Sequence, residues 1–147
     1  MNEENQMRTF IARSDIFLRE RGIKASFQRV KIFDYLQRSK EHPSVSKIFQ
    51  DLNPLIPSLS RATVYNTINL FVEKSLVIPI QVDGPESRYD LADPMHTHFH
   101  CTVCARIFDI DADPPDLPVE LEGFRVEKSQ VIYSGVCPGC LEESDKA

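Results

Sequence analysis

Four cysteines stand in two pairs, Cys101-Thr102-Val103-Cys104 and Cys137-Pro138-Gly139-Cys140, and they are the only cysteines in the 147-residue chain. A Cys-x-x-Cys turn can present two thiolates to one cation. Two such turns complete a tetrahedral S4 shell, which suits zinc. The 32 residues between the pairs exceed the gap of a simple zinc ribbon, so a small folded segment must lie between them. Two disulfides or four buried thiols would use the same residues. The paired spacing favours zinc, as does a chain with no secretory character, because cytosolic thiols stay reduced.

The run His96-Thr97-His98-Phe99-His100 leads into the first pair. Phe99 to Ile110 reads as one strand, on Phe99, Val103, Ile107, Phe108 and Ile110. Residues two apart on a strand share a face. His96, His98 and His100 therefore point together if the strand begins early enough. One histidine alone is usually a satisfied polar residue. Three on one face beside a thiolate cluster predict a second metal site.

The elements that must position these residues follow from periodicity. Met7, Phe10, Ile11, Ser14, Phe17 and Leu18 form one face of a helix that ends near Gly22. Ser26 caps a second helix with Val30, Phe33 and Leu36 inward. His42-Pro43 interrupts the chain, because a residue before proline avoids helical geometry. Ser44 caps a third helix carrying Val45, Ile48, Phe49 and Leu52. Ser60 starts a fourth, with Val64, Thr67, Ile68 and Phe71 buried and Ala62, Tyr65, Asn66 and Asn69 outward, Arg61 at the edge. Leu76–Val82 and Ser87–Leu91 read as strands around Asp83-Gly84-Pro85, a hairpin signal, with Pro79 confining the first to an edge. Helices followed by a β-hairpin describe a winged helix-turn-helix, whose last helix enters the DNA major groove. Arg, Asn and Tyr are useful there, for guanine, adenine, and thymine methyl or phosphate respectively.

Beyond 92–95, read as a hinge, the segment 111–118 is a proline-rich loop. Val119–Glu122 makes one helical turn, Phe124–Tyr133 is a strand, and the acidic tail from Glu142 is disordered. The net charge of −5 divides unevenly: residues 1–91 hold 13 Lys and Arg against 11 Asp and Glu, and residues 92–147 hold 4 against 11. Only the first part can approach phosphate. With 41% apolar residues, no membrane-length apolar run and an acidic N-terminus, a cytoplasmic protein is expected.

In order and spacing, Gln28-Arg29, His42-Pro43, the stretch from Ser60 to Asn66, Ser87-Arg88-Tyr89-Asp90, His96-x-His98, the cysteine pairs and Asp109 resemble the ferric uptake regulator family of metal-dependent repressors. The resemblance covers nearly the whole chain. It implies an α+β protein: an N-terminal winged-helix DNA-binding domain (1–91), the hinge (92–95), and a small α/β dimerisation domain (96–147) with zinc on Cys101, Cys104, Cys137 and Cys140. It implies a regulatory site of His42, Asp90, His96, His98 and Asp109, a donor set suited to Fe(II), Mn(II) or Zn(II). Metal would fix one domain against the other, so that a homodimer matches two half-sites of operator DNA.

Aspartate at 109 resembles the peroxide-responsive branch, in which peroxide oxidises a ligand histidine, here His42 or His96, and DNA is released. An iron- or zinc-responsive uptake repressor without peroxide sensing is the alternative. A non-haem iron enzyme or a zinc-stapled adaptor is more remote, because neither explains the wing. Arg61, Tyr65 and Asn66 are the candidate base contacts, and Gln28 and Arg29 the candidate phosphate contacts. Thr97 and Lys128 argue against a third metal site. His100 stands where an apolar residue is common and is expected to be exposed. Phe27 replaces a usual proline and should alter the start of the second helix. Three prolines between 110 and 123 should prevent the longer helix that the family places at its dimer contact.

Overall fold

The computed structural model describes residues 11–92, 96–112 and 115–146. The chain forms two compact units, Met1–Pro94 and Met95–Ala147. The expected contributions of Met7 and Phe10, and three of the four hinge positions (Asp93, Pro94, Met95), lie outside the described residues, as do Asp113 and Pro114 of the proline-rich loop.

The first unit holds α1 (Ser14–Glu20), α2 (Phe27–Arg38), α3 (Val45–Leu52), α4 (Arg61–Glu73), β1 (Val77–Ile80) and β2 (Arg88–Leu91). Three of its four helix starts are written in serine. Ser26, Ser44 and Ser60 each accept a hydrogen bond from the backbone N–H three residues on, satisfying one of the donors that every helix start leaves open. Phe27 occupies the first position of α2, next to the Ser26 cap; its ring is exposed, with the Lys31 ammonium 5.5 Å from its centroid. At the far end of α1, Gly22 takes φ +73° and the chain reverses with Gly22 N–H on Arg19 and Ile23 N–H on Leu18, a helix stop that favours glycine.

The buried stripes of the four helices converge on one core. Leu18, Ile32, Ile48, Val64, Ile68 and Phe71 are completely excluded from water, and Phe33 stacks on Phe17 at 5.2 Å and meets Phe71 edge-on at 5.9 Å. A fully buried side chain of this size contributes roughly 1.5–3 kcal/mol, so this core outweighs the individual hydrogen bonds around it. β1 and β2 pair antiparallel with Ile78 opposite Asp90 and Ile80 opposite Arg88. A two-stranded ribbon has only edge strands, which is why Pro79 is tolerated.

The second unit departs from the sequence expectation in three places. The span Phe99–Ile110 is two strands, β3 (Thr97–Cys101) and β4 (Ile107–Ile110), paired antiparallel with His98 opposite Asp109. The first cysteine pair makes the turn between them: Ala105 N–H donates to Cys101 O, and Ala105 adopts φ +63° to close it. Second, only Ile132 and Tyr133 of the expected Phe124–Tyr133 strand lie in a strand, β5 (Ile132–Gly135), which runs parallel to β3; residues 124–130 are exposed. Third, the acidic tail is helical: α5 runs Pro138–Asp145, started by Cys137 with proline at a first-turn position, where its missing N–H costs nothing. A single 3-10 turn at Val119–Leu121 stands where the helical turn was expected, and the described part of the proline-rich loop forms no regular element.

Candidate metal centres and nucleic-acid interface

The turn between β3 and β4 carries Cys101 and Cys104, and the start of α5 carries Cys137 and Cys140. One sulfur from each lies within 4.8 Å of all the others, and Cys104 and Cys137 are 3.9 Å apart. A disulfide needs about 2.05 Å between sulfurs. Thiolates held at ~2.3 Å from a tetrahedral zinc stand roughly 3.8 Å apart. All four thiols are free, and the spacing fits zinc.

Local electrostatics prepare the same site. The backbone N–H groups of Cys104 and Cys137 donate to the Cys101 sulfur and hold its thiol down at about 6. Hydrogen bonding to the Arg106 side chain lowers the Cys104 thiol. Cys140 is pushed up to about 12, first by its hydrogen bond with Cys137 and then by burial. Four thiols this close cannot all ionise without a cation among them, which is the demand that a divalent zinc meets.

β3 also carries the histidines. His96 Nε2 lies 2.8 Å from Asp109 Oδ1, and His98 Nε2 lies 3.5 Å from the same oxygen. The two imidazoles are 4.4 Å apart between ring centres, and His98 is completely buried. Cross-strand pairing of His98 with Asp109 produces this convergence. His100 is buried at 8% exposure, correcting the expectation that it faces water: period-two alternation gives it the side of the strand occupied by His98.

In the first unit, His42 and Asp90 form a second pair, with Nε2 3.4 Å from Oδ2 and both side chains buried. Asp90 stands on β2. His42 stands in the α2–α3 loop at φ +51°, a left-handed conformation that a residue with a Cβ adopts at a cost of ~1–2 kcal/mol. Sequence reasoning from the following proline foresaw only that a right-handed helix is disfavoured. The loop is held from β2: Arg88 donates from Nε to the His42 carbonyl and from an Nη to the Glu41 carbonyl at 2.6 Å, and Tyr89 N–H donates to the Pro43 carbonyl at 3.0 Å. Arg88, which holds the loop that carries His42, served sequence reasoning as a landmark and never as part of a site. Its signal was its place two residues before Asp90 on one strand face.

The DNA-contact candidates also sit in the first unit. Arg61, Tyr65 and Asn66 are exposed on the outer side of α4, and with Ala62 they line a groove of about 520 Å³ whose other wall is Glu86, Ser87 and Tyr89 of the wing. Gln28 donates to Ser58 at 3.4 Å, and Arg29 donates to the Lys24 carbonyl at 3.1 Å. Both lie outside the residues that line the groove.

Residues 20–132 match the model of the ferric uptake regulator family. Over 132 residues the chain is 32% identical to the peroxide operon regulator of Bacillus subtilis, covering 87% of this chain and 91% of that protein. It is equally 32% identical to the peroxide-responsive repressor PerR of Staphylococcus epidermidis, covering 87% and 88%. Among solved structures, the ferric uptake regulator of Helicobacter pylori superposes with a TM-score of 0.68 at 22% identity, covering 88% of this chain and 89% of that one, a likeness of fold.

Proposed function

Since the chain belongs to the ferric uptake regulator family, and is therefore a metal-responsive transcriptional regulator rather than an enzyme, we propose that it is a cytoplasmic, homodimeric repressor that holds operator DNA when Fe(II) or Mn(II) is bound and lets it go on peroxide oxidation of a ligand histidine. Zinc on Cys101, Cys104, Cys137 and Cys140 staples β3, β4 and α5. His42 and Asp90 of the DNA-reading unit join His96, His98 and Asp109 of the second unit around one regulatory cation.

The observation that carries this reading is the division of donors. Each unit presents imidazole and carboxylate partners within 3.5 Å of each other, His42 with Asp90 and His98 with Asp109, and neither set alone fills the coordination of Fe(II) or Mn(II). Three imidazoles and two carboxylates suit those ions and leave room for peroxide. Fe(II), when bound, would supply the redox chemistry that breaks the peroxide O–O bond: one oxygen would add to a ligand imidazole carbon, which gives up two electrons and a proton overall, and the other would leave as water. The chain's own residues place the donors: pairing of β3 with β4 brings Asp109 to within 2.8 Å of His96 so that both can face one ion, and Arg88 fixes the His42 backbone. Loss of an imidazole donor loosens the grip between the units, and the two reading helices lose their spacing. Val119, Phe124 and Tyr133 expose apolar surface in the second unit, which supports a second copy as partner.

Peptide mass spectrometry tests the proposal. Zinc- and Fe(II)-loaded protein treated with dilute peroxide gains one oxygen on the peptide carrying His42 or His96, and Mn(II)-loaded protein does not. If neither peptide changes while metal-dependent DNA binding persists, the protein is an iron- or zinc-responsive repressor instead.

A further inference from the structure

The groove between α4 and the wing contains an acid where a DNA-binding surface gains nothing from negative charge. Glu86, in the β1–β2 loop, accepts a hydrogen bond from the Ser46 hydroxyl on α3, and that hydroxyl accepts from Arg61 at 2.7 Å. Arg61 Nη1 lies 3.9 Å from the Glu86 carboxylate, and the guanidinium sits 5.6 Å from the centre of the Phe49 ring. Arg61 is thus seated on one side by α3 and the wing, while 61% of its side-chain surface stays open to solvent. Hydrogen bonds from Ser46 and then Ser44, with a smaller part from the nearby Arg61 charge, keep the Glu86 carboxyl below its ordinary range, so the acid is ionised at neutral pH.

The geometry points to Glu86 as a specificity-determining residue: by tying one edge of the Arg61 guanidinium to Ser46 and the wing, it keeps the arginine aimed at base edges and off the phosphate backbone. An arginine has five N–H donors in a rigid fork, so anchoring one edge leaves others for bidentate readout. A free arginine takes the nearest phosphate on any sequence, which adds affinity without information. The inference rests on the reading of Arg61 as a base contact, and asks what makes it selective.

The test is a double-mutant cycle on the full-length protein loaded with zinc and Mn(II). The probes are a duplex selected by that protein from a randomised pool and a scrambled duplex of the same composition. Glu86→Gln keeps shape and removes charge. It tightens binding to the scrambled duplex, steepens its salt slope by about 0.9 for one added phosphate contact, and lowers the ratio of selected to scrambled affinity about 5-fold or more. In an Arg61→Ala background the same substitution has no effect on the ratio. An equal gain on both duplexes, or a gain that persists without Arg61, means that Glu86 merely repels phosphate and overturns the inference. Should Arg61→Ala alone leave the ratio unchanged, the reading of Arg61 as a base contact fails first.

Discussion

Replacing Arg88 by alanine removes the fork that holds the α2–α3 loop from β2. Two hydrogen bonds from a charged donor disappear, to the carbonyls of His42 and Glu41. Such bonds contribute roughly 1.5–3 kcal/mol each when shielded, and less for a half-buried guanidinium. With the fork gone the loop is held less firmly, by the Tyr89 N–H on the Pro43 carbonyl, and His42 relaxes from its left-handed backbone, releasing up to ~1–2 kcal/mol. Metal binding must re-impose that conformation. Mn(II) affinity therefore falls about 5- to 30-fold, since each 1.4 kcal/mol is tenfold. Competition against a fluorescent chelator measures it, with zinc content and thermal unfolding followed in the same samples. Arg88→Lys, which keeps the charge and loses the fork, falls between. An alanine variant that stays folded, retains zinc and binds Mn(II) within about 2-fold of wild type would refute the positioning role, given the strain assigned to His42.

Three further outcomes are expected. Cys101→Ser loses zinc and, with it, a contribution of ~10–16 kcal/mol seen for small structural sites, so the second unit unfolds and the protein is monomeric; a folded dimer without zinc by elemental analysis and ultracentrifugation would contradict this. Tyr35 donates to Asp51 at 2.6 Å and lowers its carboxyl pKa. A lowered carboxylate stabilises the fold above its unfolded value near 4 and loses that contribution as pH falls through the folded value, so Tyr35→Phe costs about 0.5–1.5 kcal/mol at neutral pH and nearly nothing in acid, read from urea unfolding at both pH values. Tyr65→Ala, at an exposed α4 position, weakens the selected duplex more than a scrambled one without altering zinc content; equal losses on both would show that Tyr65 reads no sequence.

What was legible in the sequence was local. Serine caps and the apolar stripes of α2, α3 and α4 are set within a few residues, and the structure follows them. The cysteine pairs were legible because ligand spacing is short-range chemistry. The turn between β3 and β4 was hidden, because Val103 continues the alternating apolar pattern across it although the residue is 66% exposed. β5 was overdrawn: its register against β3 is fixed by sheet pairing, which sequence periodicity does not contain. α5 was missed because an acidic, polar stretch reads as a tail, whereas Pro138 and the cysteines anchor its first turn. His42 and Asp90 could be assigned to one site only through resemblance, since they stand 48 residues apart in sequence and meet through β2. The Arg88 fork could not be read from periodicity alone, because its acceptors are backbone carbonyls.

The central claim is that one cation draws imidazoles from both units. Pulsed electron paramagnetic resonance on zinc-replete, Mn(II)-loaded protein counts the coordinated imidazole nitrogens directly. Three are expected in the wild-type protein, from His42, His96 and His98, and two in His42→Ala. Two in both proteins would place the ion in the second unit alone and leave the coupling between metal and DNA without a physical link.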